Sequence, residues 1–420
     1  MREAYTPNAA AEQLLYALLG ILSGTGIGVA VGIFGRGVEF FSSFGAARFS
    51  LYVWFLPAVG ALTAAMLRRW GRGGIGMGAA FRASRGQGTF PLRNAVFQFA
   101  GTWSAHLFCA SVGREGAAVQ IGAAIGGGIG RRVPLAGAPR ILLVAGMAAG
   151  FSALFGTPAC AVCFALEVTV VGGMRLRALT ASAFASFAAY FAASLCGGAV
   201  FSPQVACTLS LTVSTVLRVF ALGAACGIAG LLFCLARKYA LLFFSAALPD
   251  PVLRALLAGA LLSCLLFLTG GRYAGLGTNL VQAALNGDAV FFYDWIVKIL
   301  FTAVTLSVGF LGGEVTTFFA AGACLGSVLG TVLGLPPAVC ACIGYAAVFG
   351  AATNTLFAPV FLCAEVFGGE YLPFAAVACI AAYLFNFGHS VYDQRVREGV
   401  AGRLFRLRRR AGTPLPRRLY

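Results

Sequence analysis

Apolar stretches at or near bilayer-spanning length follow one another along almost the whole chain: Leu14–Phe34, Tyr52–Leu67, Ala95–Val112, Ile141–Phe155, Leu179–Leu195, Val219–Leu235, Val252–Thr269, Trp295–Leu311 and Phe374–Phe387. A spanning helix needs roughly 17–25 such residues. A chain inside lipid must satisfy its own backbone polar groups, so continuous runs of this kind read as α-helices. Of the 420 residues 60% are hydrophobic and 10% charged, where a soluble domain carries about a quarter charged residues. The expectation is an all-α polytopic membrane protein. It divides into an N-terminal segment 1–12, a membrane domain 13–394 and a basic tail 395–420.

The net charge of +17 gathers at Arg68–Arg72, Arg131–Arg132, Arg140 and Arg395–Arg418. Short loops and ends rich in arginine stay on the cytoplasmic side. Both termini are therefore expected in the cytosol of a cell whose plasma or inner membrane holds the protein. The run Arg403-Leu404-Phe405-Arg406-Leu407-Arg408-Arg409-Arg410 suits anionic lipid better than nucleic acid. Met1–Glu12 lacks the layout of a cleavable signal peptide. The 13 cysteines lie mostly in apolar runs and read as small buried hydrophobes, Cys160-Ala161-Val162-Cys163 included. With only His106 and His389 as histidines, the chain offers no zinc set, and neither a metal nor a cofactor is expected.

The sequence resembles itself at a distance of about 200 residues. Gly113-Arg114-Glu115 recurs as Gly312-Gly313-Glu314. Gly122, Gly126 and Gly130 recur as Gly322, Gly326 and Gly330. Gly146-Met147-Ala148-Ala149 precedes Glu167 as Gly344-Tyr345-Ala346-Ala347 precedes Glu365. Chance likeness of glycine-rich spans leaves the matching carboxylates unexplained. A duplication with halves 13–195 and 212–394 explains them and suits a transporter, whose site lies between repeats near the midplane. Short, tilted and broken helices are expected beside the repeated motifs. Small residues spaced by four, as at Gly122, Gly126 and Gly130, let helices pack closely.

Packing does not account for Glu115. A carboxylate at membrane depth is costly and marks an ion or proton pathway by default. An anion in lipid needs donors without full charge, so that it can leave again. Helix N-termini supply free N–H groups and about half a positive charge. Gly113-Arg114-Glu115-Gly116 reads as one loop-to-helix start, and Gly312-Gly313-Glu314-Val315-Thr316 as a second from the other half. Opposed N-termini would form a midplane anion site. An ionised Glu115 can take the anion's place there, and a protonated one loses that attraction, so one side chain would gate the path and carry the proton. The other readings of Glu115 are a salt bridge to Arg114 and a helix-capping carboxylate. Glu314 reaches solvent, accepts backbone hydrogen bonds or joins the pathway. Glu167 and Glu365 end apolar helices and read as carboxylates fixed by hydrogen bonds. Tyr392 reads as an interface-belt tyrosine or as a neutral donor to the anion.

The stretch Gly113-Arg114-Glu115-Gly116-Ala117-Ala118-Val119-Gln120-Ile121-Gly122 resembles the GREGPxVQIG signature of the CLC chloride channel and transporter family, with Ala117 in place of proline. The likeness runs from about residue 15 to 395. It implies an inverted-repeat membrane fold, a homodimer with one pathway per subunit, and Glu115 as the external gate. The GSGIP signature is reduced to Gly74-Ile75-Gly76-Met77-Gly78, which puts Ile75 where the family has an anion-coordinating serine. The GxFxP signature becomes Gly313-Glu314-Val315-Thr316-Thr317. Thr317 replaces proline, so the sequence does not fix the helix start there. Tyr392 matches the central tyrosine, and Val168 falls where chloride/proton exchangers carry an internal proton-transfer glutamate.

These departures, with Ala105-His106-Leu107-Phe108 and Gly388-His389-Ser390, resemble the bacterial fluoride/proton antiporter branch. The resemblance then implies Glu115 for gating and proton transfer, and Gly113, Arg114, Gly116, Met77, Glu314, Val315, Thr316 and Tyr392 around the anion. The implied partners are a halide, protons and the lipid bilayer. Fluoride, small and a strong acceptor, demands tight donors, but composition alone does not choose between fluoride and chloride. The alternatives are a chloride/proton exchanger and a passive, voltage-gated-type chloride channel of the same family. An intramembrane enzyme is the rival from another class, and Gly150-Phe151-Ser152-Ala153-Leu154 breaks the Gly-x-Ser-x-Gly pattern a serine nucleophile would want.

Overall fold

The computed structural model describes residues 9–71, 74–197, 201, 203, 205 and 209–396. The expected cytosolic segment up to residue 8 and the tail from residue 397 lie outside the described residues. The first half runs through α1 (Ala9–Ala47), α2 (Phe49–Tyr52), α3 (Leu56–Trp70), α4 (Met77–Ser84), α5 (Arg93–Leu107), α6 (Glu115–Gly130), α7 (Ala138–Phe155), α8 (Pro158–Glu167) and α9 (Leu179–Leu195). The second runs through α10 (Val213–Ala247), α11 (Pro251–Leu268), α12 (Thr278–Asn286), α13 (Asp294–Ser307), α14 (Val315–Leu333), α15 (Pro337–Thr353), α16 (Phe357–Phe367) and α17 (Leu372–Phe385). Two two-residue strands, β1 (Val170–Val171) and β2 (Arg395–Val396), pair in parallel. Among the described residues seven helices are long and apolar enough to cross a membrane.

The duplication is visible in the packing. α6 lies against α7 as α14 lies against α15, and α1 lies against α9 as α10 lies against α17. The glycines explain why. A Cβ on Gly146 would strike the Gly122 carbonyl, and one on Gly344 would strike Gly322 in the same way. The backbones therefore touch at the equivalent place in both halves, as close packing of membrane helices requires. α6, α7, α14 and α15 form a small-residue core with Phe151, Phe319 and Phe349 filling its gaps. Large apolar side chains such as Leu22, Phe187, Leu217, Phe243 and Leu261 point outward, as lipid-facing positions do.

The halves are related by inversion where they meet. Gly113 and Gly313 exchange both backbone hydrogen bonds, at 2.5 and 2.7 Å, as an isolated antiparallel bridge. α8 and α16, of 10 and 11 residues, rise about 1.5 Å per residue and span only about half the bilayer core.

Several apolar runs are not single helices. The run Ala95–Val112 stops being helical at Leu107, where Cys109 turns through φ 64°. Trp295–Leu311 ends as a helix at Ser307, with Gly309 and Gly312 at φ 112° and 152°. Each break frees the chain to deliver a glycine to the central bridge. Conversely α1 continues past Phe34 to Ala47, because its polar residues find partners: Arg36 donates to the Cys196 carbonyl at 3.2 Å and Glu39 accepts from Arg114 at 2.9 Å.

Candidate functional site

Glu115 is the first residue of α6 and 1% exposed. The helix begins within the expected loop-to-helix start, so the carboxylate belongs to the first turn itself. Its Oε2 accepts a 2.6 Å hydrogen bond from Thr316 Oγ1, which lies in the first turn of α14. The same oxygen accepts the Arg114 N–H at 3.2 Å, and Oε1 lies 3.8 Å from Arg114 Nε. One carboxylate thus closes the gap between the N-termini of two helices from opposite repeats. The partial positive charge of both ends favours a negative group here. Of the two structural readings of Glu115, the Arg114 contact is present beside the cross-repeat bond, whereas Glu115 follows the N-cap Arg114 and no side-chain hydrogen bond caps α6.

Gly113 and Gly116 make the approach possible. A Cβ on Gly113 would collide with Thr316 Oγ1, and Gly116 lies against Gly313. The Arg114 guanidinium is held by carboxylates, with Nη1 on Glu39 Oε1 at 2.9 Å. α14 starts at Val315 although Thr317 stands where proline was expected, since the Glu314 carbonyl accepts the N–H groups of Thr317 at 3.0 Å and Phe318 at 3.3 Å. The Val315 side chain is buried.

Next to this cluster lies a cavity of ≈ 820 Å³ lined by Met77, Gln98, Gln120, Arg237, Glu314 and Tyr392, among others. Met77 opens α4 behind Gly76, whose φ of 96° suits glycine. Ile75 also lines the cavity and brings no hydroxyl. Tyr392 is anchored edge-on against Phe81 at 5.4 Å between ring centres. Its buried hydroxyl faces Glu314 without a hydrogen bond of ordinary geometry. Glu314 in turn faces Arg237. The structure therefore splits the expected site residues in two. Glu115, Thr316, Gly113 and Gly116 form the closed end, and Met77, Glu314 and Tyr392 line the cavity beside it.

Sequence reasoning missed four polar residues in apolar helices. Gln98 Nε2 donates to Gln120 Oε1 at 2.7 Å, and Gln120 Nε2 donates to the Gly116 carbonyl at 3.1 Å. Arg237 Nη1 donates to Ser307 Oγ at 3.1 Å beside the cavity. Lys298 is buried among hydroxyls and carbonyls. Gln98, Gln120 and Lys298 were visible as lone polar residues inside apolar runs, and Arg237 beside Lys238 as a basic pair in one, which is a signal in itself.

Glu167 and Glu365 are bound by helix starts across the repeat interface. Glu167 accepts the N–H groups of Leu356 at 2.6 Å, Phe357 at 3.1 Å and Ala358 at 3.3 Å, at the start of α16. Glu365 accepts those of Ala159 and Cys160, both at 2.8 Å, at the start of α8. Each half caps the other. Val168 is fully buried and carries no proton.

A duplicated helical membrane scaffold with an acid between two opposed helix N-termini, beside a polar cavity, defines a protein built to pass ions. The voltage gated chloride channel model matches residues 59–386, and the chain belongs to that family, whose members are channels and transporters, as a multi-pass membrane protein. It is 37% identical over 316 residues to a "Chloride/fluoride channel protein" of Pseudomonas syringae pv. tomato (strain ATCC BAA-871 / DC3000), covering 73% of this chain and 70% of the relative. A crystal structure of a CLC-type fluoride/proton antiporter superposes with a TM-score of 0.90 at 37% identity, covering 93% of this chain and 100% of that one. A slow cyanobacterial Cl-/H+ antiporter gives a TM-score of 0.73 at 17% identity, covering 94% and 99%, and shares the fold.

Proposed function

We propose that the protein exports fluoride in exchange for protons, with Glu115 as gate and proton carrier. The observation that carries this reading is the Glu115 carboxylate, buried between two helix N-termini and bonded by Thr316 from the opposite repeat. An ionised carboxylate there mimics a bound anion, and its protonation frees the place. The anion would then meet backbone N–H groups at Gly113, Arg114, Gly116 and Val315, the Thr316 hydroxyl, and the Met77, Glu314 and Tyr392 lining. Two observations support fluoride over chloride: the Thr316 hydroxyl, a tight donor, and the 37% identity to a fluoride/proton antiporter over nearly the whole chain. No part of this reading needs enzyme chemistry. The functional unit is a homodimer with one pathway per subunit and both termini in the cytosol, the side where arginine-rich ends stay.

The test is a fluoride-electrode assay on proteoliposomes under an imposed pH gradient, with chloride as the control. Uphill fluoride movement driven by protons, with little chloride movement, is the expected result. Equal fluoride and chloride fluxes would reject the fluoride assignment. Anion flux that no proton gradient can drive uphill would leave a passive channel.

A further inference from the structure

Lys298 is fully buried in α13 and forms no ion pair among the described residues. An isolated charge in such a place is costly unless its donors are satisfied. Here they are. An ammonium has three N–H donors, and Nζ donates to the Gly275 carbonyl at 2.7 Å, Ser111 Oγ at 3.0 Å and the Tyr273 carbonyl at 3.1 Å. The two carbonyls belong to the turn between α11 and α12, whereas Ser111 lies in the other repeat, two residues ahead of Gly113. The same turn is tied to that segment again, since Gly275 N–H donates to the Ala110 carbonyl at 3.1 Å.

The ammonium also begins a buried hydroxyl chain. Ser111 Oγ lies 3.0 Å from Thr302 Oγ1, which lies 2.8 Å from Thr317 Oγ1. Thr317 is the neighbour of Thr316, the donor to Glu115. Both walls of the Glu115 slot are thus registered to one cation: the Ser111–Gly113 segment directly, and the start of α14 through Thr302. The arrangement is peculiar to the second half. In the register that pairs Gly113 with Gly313, Lys298 stands opposite Gln98 and Ala320 opposite Gln120. The glutamine pair faces the cavity, while Lys298 and Ala320 both lie against Gly277, just ahead of α12.

We propose that Lys298, acting through Ser111, Thr302 and Thr317, is a positioning residue that holds the gate in register and so keeps anion movement coupled to protons. This rests on the antiport reading above. When the chain is intact, Thr316 meets the ionised gate at hydrogen-bond distance and the path stays shut until a proton arrives. When it is cut, the first turn of α14 is free to rotate, Thr316 drifts, and the anion leaks past an undocked gate.

The test uses the full-length protein in liposomes and reads two quantities, uncoupled fluoride leak and the number of protons moved per fluoride. Lys298→Met and Thr302→Val are expected to raise the leak by about five-fold, the weight of one lost hydrogen bond, and to lower the proton-to-fluoride ratio. Thr302→Ser, which keeps the hydroxyl, should restore both. A role confined to folding would lower the yield of protein but leave the ratio per transported fluoride unchanged. Parent-like coupling in Thr302→Val therefore overturns the proposal, and that variant decides the matter if Lys298→Met does not fold. A parent protein that moves fluoride without protons would instead sink the antiport reading itself, before any variant is compared.

Discussion

The Thr316–Glu115 bond offers the sharpest perturbation. Thr316→Val keeps the side-chain shape and removes one hydroxyl. That hydroxyl donates at 2.6 Å to a buried carboxylate oxygen, whose other hydrogen bond, from the Arg114 N–H, is longer at 3.2 Å. A hydrogen bond to a charged group contributes about 1.5–3 kcal/mol. At about 1.4 kcal/mol per factor of ten, its loss lowers the docking equilibrium of the ionised gate by roughly ten- to a hundred-fold. In the proposed mechanism the docked state blocks the anion, so uncoupled fluoride leak should rise well beyond the effect expected for Thr302→Val. Fluoride release from proteoliposomes at fixed pH on both sides, with and without a protonophore, measures the leak against the coupled flux. Thr316→Ser should behave like the parent. A Thr316→Val protein with parent-like leak and parent-like coupling would refute the view that this bond holds the gate closed.

Other perturbations separate the scaffold from the site. Glu365→Gln removes the carboxylate that accepts two N–H groups at 2.8 Å and should cost about 1–2 kcal/mol, a typical loss of a helix cap, seen as a lower thermal midpoint with coupling per fluoride unchanged. Gly322→Ala drives a methyl into the Gly344 backbone, where overpacking costs about 1–3 kcal/mol or more, and should reduce the monodisperse fraction in size-exclusion chromatography. Asp250, just outside the membrane spans, caps α11. Its carboxyl is held below the usual aspartate range by the N–H of Leu253 first, then that of Val252, with Arg68 adding to both. A lowered carboxyl value stabilises the folded protein above the ordinary aspartate range, and that stability fades as pH falls through the lowered value. Asp250→Asn should flatten the acid side of the stability-against-pH curve.

The duplication, the helical class and Glu115 were legible because each rests on a local pattern: apolar runs, glycines spaced by four, and a carboxylate where none belongs. The glycines fell where expected because backbone contact admits no other residue. The limits were equally physical. Apolar length does not show where a helix must stop to deliver Gly113 or Gly313, since the breaks at Cys109 and Gly309 are set by the meeting of the halves. Nor does spacing reveal distant partners: Glu115 with Thr316 and Glu167 with the start of α16 across the repeat, and Arg114 with Glu39 within the first half. Gln98, Arg237 and Lys298 looked like exceptions in apolar runs, and only the fold shows that Gln98 and Arg237 line the cavity and that Lys298 is bonded to Ser111 of the other repeat.

The account stands on Glu115 alternating between a carboxylate that blocks the anion and an acid that carries the proton. Glu115→Gln in proteoliposomes, with fluoride and proton fluxes recorded together, tests it most directly. The account predicts that proton movement coupled to fluoride disappears. Stoichiometric proton exchange that persists in this variant would contradict it.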